Sequence, residues 1–206
     1  MVTLAILNPK GGCGKTTLAT HLARAWIDAG RSVTLVDSDP QGSARDWHAI
    51  QEDNPVPMIA LDRPSLLARP PRDDCVIIDG AAKMSDLIAA AIRVADAILI
   101  PVQPSPYDIW AVADMVGLIR ARRSVTDGQP AVAFVLTRVI PRTRLSGDVL
   151  EALHEYEFKV LENVIQQRQI YPQTANDGLT VFDSVNKEAA GEVLRLANEV
   201  GTWLWP

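Results

Sequence analysis

The sequence predicts an α/β fold, a mostly parallel twisted sheet with helices on both faces, in one domain over residues 1–206. Three observations carry this. Short β-branched apolar runs alternate along the chain with longer stretches of helical periodicity, the rhythm of strand-helix-strand units. A length of 206 residues suffices for a sizeable core without a second domain. A hydrophobic content of 48% with 22% charged residues argues against a largely disordered chain.

Taken in order, the first strand is VTLAIL, followed by a helix from Thr16 in which Leu18, Leu22, Trp26 and Ala29 share a face. Gly30 stands where a C-terminal cap belongs. SVTLVD is the second strand. Residues 54–73, rich in Pro, Arg and Asp, read as irregular with a short strand at Met58–Ala60. CVIID, AILIPV and AVAFVLT are further strands, with helices starting at Ser85, Asp108 and Ser146. In the last stretch, KEAAGEVLRLANEVGTWLWP, an apolar stripe through Val193, Leu196, Ala197, Val200 and Leu204 predicts a packed terminal helix. No internal repeat or low-complexity segment interrupts this pattern.

Several function classes recede on composition. MVTLAIL runs straight into a strand without a basic leader, and no apolar run reaches membrane-spanning length, so a cytoplasmic protein is expected. Cys13 and Cys75 stand in no CxxC or Cys/His pairing, which suggests neither a disulfide framework nor a zinc or cluster site. A net charge of −5 disfavours a surface that clings to nucleic acid everywhere, while a local basic patch stays open.

The chemistry concentrates in NPKGGCGKTT, residues 8–17, between the first strand and the first helix. It follows GxxxxGK[ST] with Pro9 in place of the first glycine. Gly11, Gly12, Cys13 and Gly14 form a loop whose backbone N–H groups can wrap a phosphate at the positive end of a helix. Lys15 would neutralise β/γ oxygens and the Thr16 hydroxyl would ligate Mg²⁺. Asp79, at the end of CVIID, stands where a Mg²⁺-organising carboxylate is expected. LVDSDPQG, residues 35–42, sets Asp37 and Asp39 at the carboxyl end of the second strand. One would orient an attacking water and the other hold Mg²⁺ through water, the alternative being a turn at Asp39-Pro40. A second loop lysine, Lys10, is more than the generic pattern needs.

With KGGCGKTT, VDSDPQG and VIIDGAA in order, the chain resembles the ParA/MinD family of deviant Walker ATPases, which have the P-loop NTPase fold. Within it, the chain is similar to the short ParA-type, ParF-like plasmid partition ATPases. The likeness continues through LIPVQPSPYD (99–108), FVLTR (134–138) and the C-terminal region. In that family the extra lysine, here Lys10, crosses a nucleotide-sandwich dimer to touch the partner's phosphates, so a catalytic set of Lys10, Lys15 and Asp39 is implied. The resemblance places Asp39 at the hydrolytic water, Asp37 near the metal and Thr17 near the α-phosphate. Thr137 and Arg138, with Ile165 to Gln167, match its base-side segment, and Pro101 to Asp108 resembles its proline-rich loop near the dimer interface. Gly80-Ala81-Ala82 lacks prolines common in relatives, a departure that leaves nucleotide binding intact.

The resemblance further implies slow, partner-stimulated Mg²⁺-dependent ATP hydrolysis, with ATP and Mg²⁺ as cofactors. It implies an ATP-gated homodimer or higher assembly on non-specific, nucleoid DNA, acting with a ParB-like DNA-bound adaptor to partition plasmid or chromosomal DNA. Candidate DNA-contacting clusters are Arg120, Arg122 and Arg123, and Arg138, Arg142 and Arg144, extended by Arg168 and Lys187. No base-reading motif is present, and the phosphate loop begins too early for a preceding helix-turn-helix, so operator binding is not expected. Two alternatives stay open: a ParA-like ATPase positioning a protein cargo, and a MinD-like membrane-associated one. Glu188, Glu192 and Glu199 against Lys187 and Arg195 suit an anionic membrane poorly, whereas Trp203 and Trp205 keep that alternative alive.

Overall fold

A computed structural model describes residues 1–83, 85–143 and 145–205. Strands β1 (Val2–Ile6), β2 (Val33–Asp37), β3 (Met58–Ala60), β4 (Cys75–Asp79), β5 (Ala97–Val102), β6 (Ala131–Leu136) and β7 (Lys159–Val160) form one sheet. Its order is β3-β2-β4-β1-β5-β6-β7, and each described pairing is parallel. The P-loop NTPase-like α/β architecture expected from the alternating pattern is therefore what the chain adopts.

Because side chains alternate across a strand, Leu4 and Ile6 face one layer of helices while Ala5 and Leu7 face the other. The first layer holds α1 (Lys15–Asp28) and α8 (Lys187–Leu204), whose Leu18, Leu22, Trp26, Val193, Leu196 and Val200 pack on Leu4, Leu35 and Ile77. The second holds α4 (Ser85–Val94), α5 (Pro106–Arg123) and α6 (Leu145–His154), packed on Val36, Ile78, Ile98 and Phe134. Each such fully buried aliphatic or aromatic side chain contributes about 1.5–3 kcal/mol, so both faces must be covered for the sheet to stand.

The end of α1 follows from Gly30. Its φ of 83° is left-handed, Gly30 N–H donates to Ile27 O and Arg31 N–H reaches back to Trp26 O, the paired bonds of a Schellman stop. α5 begins at Pro106, two residues ahead of the expected Asp108, because proline's fixed φ suits a first helical position. At the other end of the chain, Asn186 caps α8 by accepting from Ala189 N–H.

The expected packing of the terminal helix is observed. Trp26 donates its indole N–H to Ala197 O at 3.2 Å and meets the Trp205 ring edge-on at 5.2 Å, while the Arg31 guanidinium lies 3.8 Å over Trp205. The apolar stripe of α8 is thus spent on α1. No described helix is long and apolar enough to cross a membrane.

Among the described residues the short elements not anticipated are α2 (Ser43–Ala49), α3 (Pro64–Leu67), β7, α7 (Ile170–Asn176) and a 3-10 turn at Val181–Asp183. Each is too short to show a period; α2 buries only Ala44 and Trp47, and α3, inside the stretch read as irregular, only Leu67.

Candidate functional site

The carboxyl ends of β1, β2, β4, β5 and β6 converge around the loop between β1 and α1. Asn8 anchors its start from full burial: its side-chain N–H donates to Pro101 O at 2.7 Å, and its carbonyl accepts Lys10 N–H at 2.8 Å. Gly12 and Gly14 take φ of 76° and 97°, a left-handed path open to glycine without strain. Thr137 Oγ1, at the end of β6, donates to Cys13 O at 2.8 Å and braces the loop from behind. Cys13 is fully buried, and burial pushes its thiol up, so it is a packing residue rather than a nucleophile.

α1 starts directly after this loop, with no side-chain cap and no acidic residue in its first turn, facing a cavity of about 750 Å³. Gly11, Gly12, Gly14, Lys15, Thr16, Thr17 and Asp39 line that cavity. Lys15 is 7% exposed and its ammonium donates to Lys10 O at 3.0 Å. The loop residues expected to bind phosphate are therefore brought together.

Beneath the cavity, Thr16 Oγ1 donates to Asp79 Oδ2 at 2.7 Å, and Asp79 Oδ1 is buried without a partner. Burial pushes the Asp79 carboxyl up to about 7; the Thr16 bond opposes this and the Asp37 charge adds to it. A buried carboxylate with an orphan oxygen beside a hydroxyl fits a divalent cation. Among the described residues no three His, Cys, Asp or Glu side chains form a metal-holding group. Mg²⁺ would thus rest on Thr16, Asp79 and oxygens brought by water and nucleotide, a sparse protein share usual for this ion.

The two aspartates after β2 separate in space. Asp37, expected beside the metal, is fully buried with both oxygens engaged: Oδ1 accepts Asp39 N–H and Oδ2 accepts Arg45 N–H, each at 3.0 Å. Burial pushes its carboxyl up, against these bonds. It does not line the cavity; its contacts shape the turn and the start of α2. Asp39 does line it, accepting from Gln41 N–H at 3.0 Å and from Ala82 N–H at 3.2 Å across to the loop after β4. Asp39 O also accepts Gly42 N–H, so the turn and the site coincide at this residue.

A second cavity of about 430 Å³ opens at Gly14 and Thr17 and is lined by Thr137, Arg138, Ile165, Gln166, Gln167 and Tyr171. The expected base-side residues thus meet the loop. Sequence reasoning missed His21 in the cavity wall and Glu192 behind it, which holds the lining residues Gln166, Arg168 and Tyr171. His21 accepts Val181 N–H on Nε2, which leaves the proton on Nδ1 to donate to Thr17 O at 2.7 Å. Burial pushes this imidazole down to about 4. Glu192 of α8, 3% exposed, accepts from Gln166 N–H and Tyr171 OH at 2.8 Å and from Arg168 Nε at 3.2 Å.

The basic clusters divide. Arg120, Arg122 and Arg123 donate to Tyr156 O, Arg93 O and Gly128 O, and two of them stack over Phe158. Arg168 is paired to Glu188 and Glu192. Arg138 and Arg142 are exposed, and Arg138 lines both cavities. Lys187 is exposed at the start of α8, and Arg144 lies outside the described residues. Lys10, finally, is ion-paired to Asp108 of α5.

A family model described as the CobQ/CobB/MinD/ParA nucleotide binding domain matches residues 4–181. The chain is 33% identical to the maintenance of carboxysome distribution protein A of Halothiobacillus neapolitanus, over 96% of this chain and 95% of that protein. It is 28% identical to Protein ParA of Rhizobium radiobacter, over 83% of this chain and 81% of that protein. Among solved structures, the ATP complex of a Cyanothece McdA variant matches its fold with a TM-score of 0.80 at 16% identity, over 98% of this chain and 96% of that one. The chain belongs to the CobQ/CobB/MinD/ParA nucleotide-binding family, the ParA/MinD group that its loop and strand-end motifs resemble.

Proposed function

We propose that this protein is a Mg²⁺-dependent ATPase whose ATP-bound form is a homodimer and whose switching positions a cargo on DNA. The observation that carries the reading is one glycine loop bearing two lysines, Lys10 and Lys15, over the Thr16–Asp79 pair with its orphan oxygen.

Each residue then has a task. The N–H groups of Gly11 to Thr17 bind the phosphates, and the Lys15 ammonium leaves the Lys10 carbonyl to neutralise β/γ oxygens. Thr16 and Asp79 hold Mg²⁺, which supplies charge neutralisation at the phosphates when bound. Asp39 orients the attacking water, and Asp37 positions Asp39 through its backbone N–H. Thr137, Arg138 and the Ile165–Gln167 segment receive the base. Lys10 completes the partner subunit's site, so hydrolysis requires two subunits, as a cation supplied in trans does elsewhere.

In this reading the dimer binds DNA without sequence preference through exposed residues such as Arg138 and Arg142, and a DNA-bound ParB-like adaptor stimulates turnover. The protein works in the cytoplasm on the nucleoid. Plasmid or chromosomal DNA is the cargo in this reading, and the 26% identity to a protein of Thermus thermophilus named a chromosome-partitioning ATPase supports the chromosomal form. A protein cargo is the second reading, favoured by the 33% identity to a protein named for carboxysome distribution. A MinD-like membrane role is disfavoured, because the apolar stripe of α8 is buried on α1.

The test is binding to non-specific duplex DNA with ATP, with ADP and without nucleotide, for wild type and Lys10→Ala. Wild type should bind with ATP alone, and Lys10→Ala should fail in all three. Intact turnover without DNA binding in any state would remove the DNA carrier and leave a protein scaffold as the track.

A further inference from the structure

Arg45 stands in the first turn of α2, and its guanidinium lies against the turn that carries Asp39. Nη2 donates to Asp39 O at 2.9 Å and to Pro40 O at 3.3 Å, and Nε stands 3.5 Å from the buried Asp37 Oδ2. Nη1 donates to Asp62 Oδ2 at 3.3 Å, on the loop after β3. The bare Cα of Gly42 makes room for this group, since a Cβ there would come 3.0 Å from Nε. One side chain thus holds two carbonyls of the turn, the carboxylate beneath it and a carboxylate of the next loop. Arg45 itself lines neither cavity, and its contacts leave the phosphate loop, Thr16 and Asp79 untouched.

The guanidinium reaches both ends of the Asp39 backbone. It binds the carbonyl directly, and it meets the N–H through Asp37, whose Oδ1 accepts that N–H at 3.0 Å. A planar fork with charge-assisted bonds fixes direction as well as distance, so the peptide units on either side of Asp39 are set by one rigid group. Without it, Asp37 loses the cation beside it and the turn loses a charged donor, while the Asp39 bonds to Gln41 N–H and Ala82 N–H remain. The turn would then still form, with the Asp39 carboxylate held less narrowly. We propose that Arg45 is a positioning residue for Asp39, one that keeps this carboxylate aimed at the attacking water and serves hydrolysis rather than nucleotide binding. This rests on the reading of Asp39 as the group that orients the water.

The experiment measures Mg²⁺-dependent phosphate release from ATP, and in parallel the affinity for a slowly hydrolysed analogue, ATPγS, for wild type, Arg45→Met, Arg45→Ala, Arg45→Lys, Asp62→Asn and Asp39→Ala. Arg45→Met and Arg45→Ala should release phosphate on the order of tenfold more slowly at saturating ATP, with ATPγS affinity within about twofold of wild type. Arg45→Lys, a cation without the fork, should recover part of the rate. Asp62→Asn, which loosens only the outer end of the fork, should cost less, and adding it to Arg45→Met should cost nothing further, because both changes act through one contact. Met keeps the side-chain stem and Ala removes it, which guards against one of them failing to fold. Phosphate release at the wild-type rate in both neutral variants overturns the role of Arg45 and leaves Asp39 in place. A loss of ATPγS affinity as large as the loss of rate in both also overturns it, making Arg45 a structural residue only. Asp39→Ala that turns over like wild type removes Asp39 as the partner of the water, and the positioning role with it.

Discussion

Thr16 on α1 and Asp79 at the end of β4, 63 residues apart in sequence, are joined by a hydrogen bond of 2.7 Å that leaves the other Asp79 oxygen buried and unpartnered. The pair links the helix that would hold phosphate to the strand that would hold metal, and it carries a measurable pH signature.

Burial holds Asp79 at about 7 in the folded chain against an ordinary 3.8, so the folded state binds the extra proton and stability falls as pH rises through this window. His21 acts in the opposite sense. Held down at about 4 against 6.5, it costs stability as pH falls below the unfolded value. Each contributes a slope of up to ~1.4 kcal/mol per pH unit, and between about pH 4.5 and 6.5 the two offset. Urea denaturation of the protein without Mg²⁺ or nucleotide should accordingly change little with pH there. Asp79→Asn should instead gain stability up to about pH 6.5 and then level off. A variant whose profile parallels wild type would show that Asp79 does not carry the proton. Mg²⁺-nucleotide affinity of wild type should rise as pH passes through about 7, since metal binding displaces that proton.

Gly80 follows Asp79 and presses against the first strand. A Cβ there would collide with Leu7 Cδ2 and come 2.7 Å from Ile6 O, the same carbonyl that accepts Gly80 N–H at 3.1 Å. Gly80→Ala should cost about 1–3 kcal/mol by overpacking, seen as a lower denaturation midpoint at unchanged slope. It should also weaken Mg²⁺-nucleotide binding, because Asp79 shifts with it. An alanine variant as stable as wild type would mean the β1–β4 contact is looser than described.

Glu192 organises the wall of the second cavity from the far end of the chain. Glu192→Ala leaves the Gln166 N–H and the Tyr171 OH without their acceptor, costing about 1–3 kcal/mol for each group left unpaired in the interior. If that cavity receives the base, ATP binding should weaken by about tenfold, ~1.4 kcal/mol, while tripolyphosphate binding stays as in wild type. Glu192→Gln, which keeps an acceptor, should recover part of the loss. Equal weakening of both ligands would place the base elsewhere.

How much of this was legible beforehand depends on the distance over which each feature is encoded. The strand-helix rhythm, the glycine stop at Gly30 and the stripe of α8 are properties of consecutive residues, and each is where the sequence puts it. So are the loop from Lys10 to Thr17 and the strand-end aspartates, because a parallel sheet brings the carboxyl ends of its strands to one edge. Short elements such as α2 and α7 span too few turns for periodicity to speak.

What only the tertiary structure decided are the pairings. Asp37 and Asp39 are nearly adjacent and of one type, yet the Asp39 backbone N–H and the start of α2 take one oxygen each of the first and leave the second facing the cavity. Arg120, Arg122 and Arg123 are neighbours in sequence, yet only packing decides that they meet Tyr156 O, Arg93 O and Gly128 O and that two of them lie over the Phe158 face. Lys10 meets Asp108 across 98 residues, and Glu192 meets Tyr171 and Gln166 across a helix that no local pattern ties to them. The reason is physical. Local sequence sets the backbone's preferences and which face of each element is apolar, whereas a buried charge takes whichever partner packing delivers, and that partner is known only once the layers have closed.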